Sequence, residues 1–326
     1  MNGVTGSVMQ ILRHLERRGH EACVLAPAAT GIPERLHGAP VTAIRSVPLP
    51  GYRDVRVGAA TTRRIGTELG RFRPDVVHLA SPFALGWRGL LAAERGGIGT
   101  VAAYQTDVAA YTERYRVAAT TGMAHAHIAR LHRRATLTLA PSTESAQQLG
   151  HLGVDRLRSW GRGVDAERFH PSRRSDALRA EWGAEIVIGY VGRLAAEKQV
   201  EDLAALHGIP GARLVIVGDG PRRDRLQEQL PDALFLGRLD GDALATALAS
   251  FDVFVHPGES ETFGQTLQEA HASGVPVVAT GRGGPLDLVR AGVDGWLYRP
   301  GDLADLRRRV TALAGDEQTR RAVGPA

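Results

Sequence analysis

The chain has 326 residues, of which 43% are hydrophobic, and its 40 Lys plus Arg against 35 Asp plus Glu give a formal net charge of +5. This length suggests two domains with ordinary packed cores, and the evenly mixed charge excludes a dedicated nucleic-acid binder. The single cysteine excludes a disulfide scaffold. No stretch approaches the roughly 20 apolar residues of a transmembrane helix, and the first residues lack the basic and apolar regions of a signal peptide, so we expect a cytoplasmic protein.

Short apolar runs alternate with amphipathic stretches along the chain, which is typical of strand–helix–strand units in a parallel sheet. In the first half, the pattern predicts strands at 22–26, 75–79, 100–104 and 136–139, and helices at 7–18, 61–71, 85–95 and 122–134. In the second half it predicts strands at 186–191, 213–217, 234–236, 252–256 and 276–279, each followed by a helix. We therefore predict an α/β fold of two doubly wound, Rossmann-like domains, 1–170 and 171–326, which face each other across a cleft.

The chain opens on a glycine-containing turn and a helix. A doubly wound domain ordinarily begins with a strand that lies at the centre of its sheet. We therefore expect that the first strand of the N-terminal domain is missing.

A pair of cations follows the predicted strand 186–191. Gly192 and Arg193 end that strand, and Lys198, the one lysine of the chain, stands at a predicted helix start. Ligands of open α/β sheets bind at the carboxyl ends of strands. Arg can hold phosphate oxygens in a fork and Lys acts as a compact charge, which suits an anionic ligand. A surface ion pair with Glu197 or another carboxylate is the alternative.

A second candidate loop follows the predicted strand 252–256. Glu261 lies in this loop, a helix is predicted to begin near Gly264, and Glu269 lies in that helix. Amides at a helix start suit a diphosphate, while carboxylates suit the hydroxyls of a sugar or a ribose. Two solvated glutamates are the alternative. Glycine turns at Gly218 and Gly3 are weaker candidates, because an ordinary turn explains them equally well.

Three motifs together resemble the retaining glycosyltransferases of family four, which have the GT-B fold. They are Gly192-Arg193-Leu194 with Glu197-Lys198, Gly218-Asp219-Gly220-Pro221, and Glu261-Thr262-Phe263-Gly264 with Glu269. Within the family, the chain is most similar to actinobacterial GDP-mannose-dependent α-mannosyltransferases that act on lipid-linked acceptors. That closer likeness rests on segments 2–5, 104–107, 160–165 and 261–266.

The resemblance implies transfer of a hexose, mannose from GDP-mannose, to an acceptor hydroxyl with retention of anomeric configuration. Arg193 and Lys198 would hold and neutralise the leaving diphosphate, and Glu261 would contact sugar hydroxyls. Gln105 stands where many relatives carry His, so it can hydrogen-bond the sugar but cannot titrate. These four are the implied catalytic residues. The implied donor-binding residues are Gly3, Gly192, Gly218, Leu239 near the base, Phe263, Gly264, Gln265, and Glu269 on the ribose.

The resemblance implies no cofactor and no metal, because two fixed cations can neutralise the diphosphate. The implied partners are a nucleotide-sugar donor and an acceptor that is a glycolipid at the inner face of the membrane. A peripheral membrane contact through the Arg-rich segment 130–134 competes with a plain solvated helix face. From the resemblance we also expect that the C-terminal helix is missing.

Two other functions stay open at this point. One is a truncated, non-catalytic remnant that binds nucleotide sugars. The other is a nicotinamide-dependent dehydrogenase, which is disfavoured because no Gly-x-Gly-x-x-Gly turn links a first strand to a helix.

Overall fold

The computed structural model describes residues 3–49, 52–105 and 118–323. They form two compact units, and the first unit gives way to the second between Trp160 and Gly161. The domain boundary predicted from the sequence, between 170 and 171, lies slightly further along the chain. None of the helices among the described residues is both long and apolar enough to cross a membrane.

The first unit contains mostly parallel strands with helices between them. Its helices are α1 (Gly3–Arg17), α2 (Thr62–Phe72), α3 (Ala84–Arg95), α4 (Ala118–Arg134) and α5 (Thr143–His151). Its strands are β1 (Val24–Pro27), β2 (Arg35–Leu36), β3 (Ala39–Ile44), β4 (Ser46–Leu49), β5 (Tyr52–Gly58), β6 (Val76–Leu79), β7 (Gly99–Ala103), β8 (Leu137–Ala140) and β9 (Leu157–Ser159). Strands β6 to β9 form a four-stranded parallel sheet in chain order, and β1 pairs in parallel with β3.

All four strands and four helices predicted for this unit are present, within a few residues of their predicted bounds. Strands β2 to β5 and β9 were not predicted. Their sequences carry Arg, Pro and Asp among the apolar residues, so neither an apolar run nor a clear alternation marks them. The expected strand before Gly3 and helix after Ala326 stay predictions.

The second unit contains one six-stranded sheet in which every pair of strands is parallel. Its strands are β10 (Ile186–Val191), β11 (Ala212–Val217), β12 (Leu234–Gly237), β13 (Val253–His256), β14 (Val277–Thr280) and β15 (Gly295–Tyr298). Its α-helices are α6 (Asp176–Trp182), α7 (Arg223–Gln229), α8 (Gly241–Ala249), α9 (Gln265–Ala272), α10 (Pro285–Leu288), α11 (Leu303–Gly315) and α12 (Glu317–Val323). Short 3₁₀ helices span Pro171–Arg173, Ala196–Lys198 and Val200–Leu206.

The central strand of this sheet is β10, whose sequence is apolar on both sides. Ile188 and Tyr190 pack into one hydrophobic cluster, whereas Val187 and Val191 pack into the cluster on the other face. A parallel sheet covered by helices on both faces requires such a continuous apolar strand. The bounds predicted for this strand from the sequence therefore agree with the structure.

The strand order fixes where a ligand would bind. The sheet runs β12-β11-β10-β13-β14-β15, so the chain moves outward from β10 to β12 and then returns to the opposite side of β10. The order reverses between β10 and β13, and open α/β sheets bind ligands at the carboxyl ends of the strands beside such a reversal. The loops after β10 and β13 flank this point.

Candidate functional site

Two predicted site residues, Lys198 and Glu261, meet at the reversal between β10 and β13. Lys198 ends the 3₁₀ turn after β10, and Glu261 lies in the loop after β13. The Lys198 Nζ donates a hydrogen bond to Glu261 Oε2 at 2.7 Å, and the two side chains are only 26% and 16% exposed. The sheet thus unites a cation and a carboxylate that lie far apart in the sequence.

The second carboxylate oxygen of Glu261 is held by the backbone before α9. Oε1 accepts hydrogen bonds from the amide of Phe263 at 3.3 Å and from the amide of Gly264 at 3.1 Å. Gly264 has φ of +101°, a left-handed conformation that favours glycine. The sequence predicts that these amides assist at a donor phosphate, and in the structure Glu261 occupies them.

Burial and nearby charges set the ionisation of this pair. Burial pushes the pKa of Glu261 upward, but the charges of Lys198 and protonated His256 and the hydrogen bonds to the carboxylate outweigh it, lowering that pKa to about 2. His256, the buried last residue of β13, has its Nε2 3.6 Å from Glu261 Oε2. Burial lowers the pKa of His256 to about 4, which leaves it neutral at pH 7. Glu261 is therefore an anion and Lys198 its cationic partner.

Arg193 lies at the same sheet edge with its side chain 46% exposed. Its Nη1 is 3.9 Å from Glu197 Oε1, and its backbone carbonyl accepts a hydrogen bond from the Tyr190 hydroxyl at 3.2 Å. The ion pair considered as the alternative for Arg193 is present. The guanidinium nevertheless keeps a large exposed surface at the end of β10.

The glycines after β10 and β11 allow the two loops to pack backbone against backbone. Gly218 has φ of +141°, and a Cβ added there would overlap the carbonyl of Gly192. The Gly192 amide donates to the Val217 carbonyl at 3.0 Å, and the Leu194 amide donates to the Asp219 carbonyl at 3.0 Å. Backbone packing alone therefore explains why glycine stands at positions 192 and 218, without a bound ligand.

A third loop, which the sequence analysis did not single out, supports the site from β14. A Cβ added at Gly283 would overlap the carbonyl of Glu261, and one added at Gly284 would overlap the carbonyl of Phe263. The Gly284 amide also donates to the Glu261 carbonyl at 2.8 Å. The available signal was a Gly-Gly-Pro sequence that follows an apolar run, which by itself indicates only a turn.

Gln199, Glu259 and Arg282 link all three loops and were also missed. Gln199 follows Lys198 in a left-handed conformation, with φ of +49°. The Gln199 Oε1 accepts a hydrogen bond from the backbone amide of Glu259 at 2.8 Å, and the Gln199 Nε2 donates one to Glu259 Oε1 at 3.3 Å. Arg282 donates to the other Glu259 oxygen at 3.0 Å. This clamp fixes the turn that carries Lys198.

Arg162 is a further charged group near Glu261. Its guanidinium carbon lies 5.1 Å from the centre of the Phe263 ring, within the range of a cation–π contact. Burial lowers the pKa of Arg162, and the charge of Glu261 opposes that shift. The motif at 160–165 includes this arginine, but the sequence alone predicts no role for it.

The helix α9 carries two further predicted donor contacts, Gln265 and Glu269. Burial raises the pKa of Glu269 to about 7, against the opposing effects of a hydrogen bond from Gln265 and the charge of Arg168. The Gln265 Nε2 donates to the Gly163 carbonyl at 3.2 Å. Glu269 is thus poised between its two protonation states at neutral pH.

The remaining predicted residues are Leu239 in the second unit and Gly3 and Gln105 in the first unit. Leu239 follows β12 and packs against the hydrophobic core. Gly3 begins α1, and the buried Gln105 follows β7 with its Nε2 3.5 Å from the Ala80 carbonyl, so both belong to the first unit. Residue 2 and residues 106–107 of the motifs lie outside the described residues. The ligand contacts assigned to all these residues stay predictions.

Comparison with known proteins identifies the family. A family model described as Glycosyltransferase Family 4 matches residues 1–168, and one described as Glycosyl transferases group 1 matches residues 176–326. The chain belongs to glycosyltransferase family 4. It is 44% identical over 96% of its length to the GDP-mannose-dependent alpha-mannosyltransferase of Corynebacterium glutamicum, of which it covers 76%. It is 50% identical over 89% of its length to the protein of the same name from Mycolicibacterium smegmatis, of which it covers 78%.

The structure of this family 4 chain is also similar to that of HepE from Anabaena in complex with UDP. The TM-score is 0.79 at 20% identity, over 99% of this chain and 89% of the other. Together with the two parallel α/β units, this likeness confirms the GT-B fold predicted from the sequence.

Proposed function

We propose that this protein is a retaining α-mannosyltransferase that uses GDP-mannose as its donor. The observation that carries the proposal is the pairing of Lys198 with Glu261 at the reversal of strand order. The cation suits the diphosphate of a nucleotide sugar, and the carboxylate suits its sugar hydroxyls. The relatives that are 44% and 50% identical are named GDP-mannose-dependent alpha-mannosyltransferases, which favours an enzyme over a non-catalytic remnant.

The proposed reaction exchanges one bond at the anomeric carbon for another on the same face. The bond from this carbon to the β-phosphate oxygen breaks, the bond to the acceptor oxygen forms, and the acceptor proton passes to the leaving phosphate. Lys198 and Arg193 neutralise the charge that develops on the diphosphate. Glu261 accepts hydrogen bonds from the sugar, and Glu269 accepts them from the ribose. Gln105 is assigned to the sugar from the first unit.

Donor choice and stereochemistry test this proposal directly. The purified protein is incubated with GDP-mannose or UDP-glucose and detergent-dispersed phosphatidylinositol and glycolipids, and products are followed by mass spectrometry. We expect mannosylated lipid from GDP-mannose. Its one-bond coupling constant between C1 and H1 in the NMR spectrum should be that of an α-mannoside. Lys198→Ala and Glu261→Ala should each reduce the rate at least about tenfold, since each removes a charged contact. A preference for UDP-glucose, or near-normal rates in both variants, contradicts the assignment.

A surface patch of the first unit supports a lipid-linked acceptor. This α3–α4 patch consists of Phe83, Trp87, Met123, Arg130 and Arg134. Phe83 is 48% exposed and Met123 is 66% exposed. The guanidinium groups of Arg130 and Arg134 lie 5.2 and 5.4 Å from the centre of the Trp87 ring. Exposed apolar side chains beside arginines suit the interface of an anionic membrane.

Vesicle sedimentation tests the α3–α4 patch. The protein should bind vesicles of phosphatidylinositol and phosphatidylcholine more strongly than vesicles of phosphatidylcholine alone, because Arg130 attracts anionic headgroups, by about 1 kcal/mol for one arginine. Arg134 contributes less, since it already pairs with Glu94. The double variant Arg130→Ala/Met123→Ser should lose most of this binding. Its control is Arg63→Ala, which removes an exposed arginine of α2. Equal loss in both variants indicates attraction by net charge only and contradicts a role for the patch.

A further inference from the structure

Glu261 holds the groups that a donor diphosphate would need. In the structure its Oε2 accepts from Lys198 Nζ at 2.7 Å. Its Oε1 accepts from the amides of Phe263 and Gly264 just before α9. Oxygens of a diphosphate would seek the same ammonium and the same helix-start amides. A bound donor and Glu261 therefore compete for one set of hydrogen-bond donors.

The outcome of this competition depends on whether the diphosphate carries a sugar. Glu261 is ionised throughout the neutral range, so a diphosphate placed on Lys198 adds negative charge beside an existing anion. A sugar can compensate, because its hydroxyls donate hydrogen bonds to the displaced carboxylate. A nucleoside diphosphate without sugar has no such donor at this position, and a carboxylate deprived of partners in a partly buried site is unfavourable.

We propose that Glu261 discriminates between the nucleotide sugar and the sugar-free nucleoside diphosphate, and so favours release of the spent product. The inference rests on the proposed function, since it assigns the diphosphate to Lys198 and the sugar to Glu261. Two neighbouring groups do not distinguish the two ligands. His256 Nε2 lies 3.6 Å from Glu261 Oε2, and Arg162 lies over the Phe263 ring, near enough for the charge of Glu261 to oppose the lowering of its pKa by burial. Both groups belong to the protein and are present whether or not the diphosphate carries a sugar.

Calorimetric titration with GDP tests the inference without requiring turnover. Glu261→Gln keeps the size of the side chain but removes its charge, which frees Lys198 for the diphosphate. We expect this variant to bind GDP about tenfold more tightly than the wild type, equivalent to about 1.4 kcal/mol. The matched control is Glu201→Gln, which makes the same change in net charge at a carboxylate paired with Arg222 at 3.3 Å in the same unit. The control should bind GDP as the wild type does.

The wild type supplies a second test that needs no variant. It should bind GDP-mannose more tightly than GDP, and the ratio of the two dissociation constants should shrink in Glu261→Gln. Equal affinity of the wild type for both ligands overturns the inference, as does a Glu261→Gln variant that binds GDP no better than Glu201→Gln. A wild type that binds neither ligand instead refutes the proposed donor, and with it both proposals.

Discussion

Replacement of Glu269 by glutamine should stabilise the protein above neutral pH. Burial raises the pKa of Glu269 from its ordinary value of 4.5 to about 7. Between these two pH values the folded protein binds a proton that the unfolded chain has released. Stability contributed at this site is therefore fully present below about pH 4.5 and is lost as the pH rises through about 7.

The shift of the Glu269 pKa sets the size of this effect. A change from 4.5 to about 7 corresponds to at most about 3 kcal/mol of unfolding free energy, and residual solvent contact reduces it to about 2 kcal/mol. Urea unfolding of the wild type and of Glu269→Gln at pH 5 and pH 8 measures the difference. The wild type should lose about 2 kcal/mol more than the variant between the two pH values.

The wild type and the variant share every other titrating group, so the difference between their pH dependences reports on Glu269 alone. An identical change with pH in wild type and variant would refute the claim that burial of Glu269 raises its pKa. Binding of GDP-mannose provides the functional counterpart. At pH 8 the variant should bind the donor more weakly, because an amide is a poorer acceptor than a carboxylate for ribose hydroxyls.

Three further substitutions probe the loops of the second unit. Lys198→Arg should lower kcat about tenfold or more without unfolding the protein, because a planar fork cannot take the place of a compact ammonium, and initial-rate kinetics with GDP-mannose measure it. Gly284→Ala places a methyl group against the Phe263 carbonyl and should lower the unfolding free energy by about 2 kcal/mol. The control is Gly315→Ala, whose methyl group enters open space, so its unfolding free energy should differ from that of the wild type by no more than about 0.5 kcal/mol. Thermal denaturation measures both values. Gln199→Ala should raise the KM for GDP-mannose several-fold, and Gln199→Gly should recover part of the loss because glycine tolerates the left-handed backbone; equal KM values in both contradict a role for backbone strain.

The sequence was most informative where a segment is buried on both faces. The apolar run Ile186–Val191 predicts its strand with the observed bounds, because a central parallel strand leaves no position for a polar side chain. After that strand the sequence predicts a helical segment, and the structure has two separate 3₁₀ helices there, Ala196–Lys198 and Val200–Leu206. The interruption lies at Gln199, whose left-handed conformation ends one turn and begins the next, and glutamine is no marker for that conformation.

The positions of Lys198 and Glu261 after strands were easier to predict than the pairing of their side chains. Lys198 and Glu261 each lie after a predicted strand, but the sequence does not say that β10 and β13 are neighbours in the sheet. That adjacency determines which carboxylate reaches the ammonium. The amides of Phe263 and Gly264 illustrate the same limit. A motif predicts that these amides can bind a ligand, whereas in the folded protein the Glu261 carboxylate accepts their hydrogen bonds.

The glycine contacts beneath the site restrict how its specificity can evolve or be redesigned. Because Gly218 lies against the Gly192 carbonyl and Gly284 against the Phe263 carbonyl, any side chain at these positions would push two loops apart. Changes of donor preference must then come from side chains outside these backbone contacts, such as Arg238 after β12, which is 54% exposed. A library aimed at new sugar nucleotides should vary such side chains and leave Arg193 and the glycines unchanged.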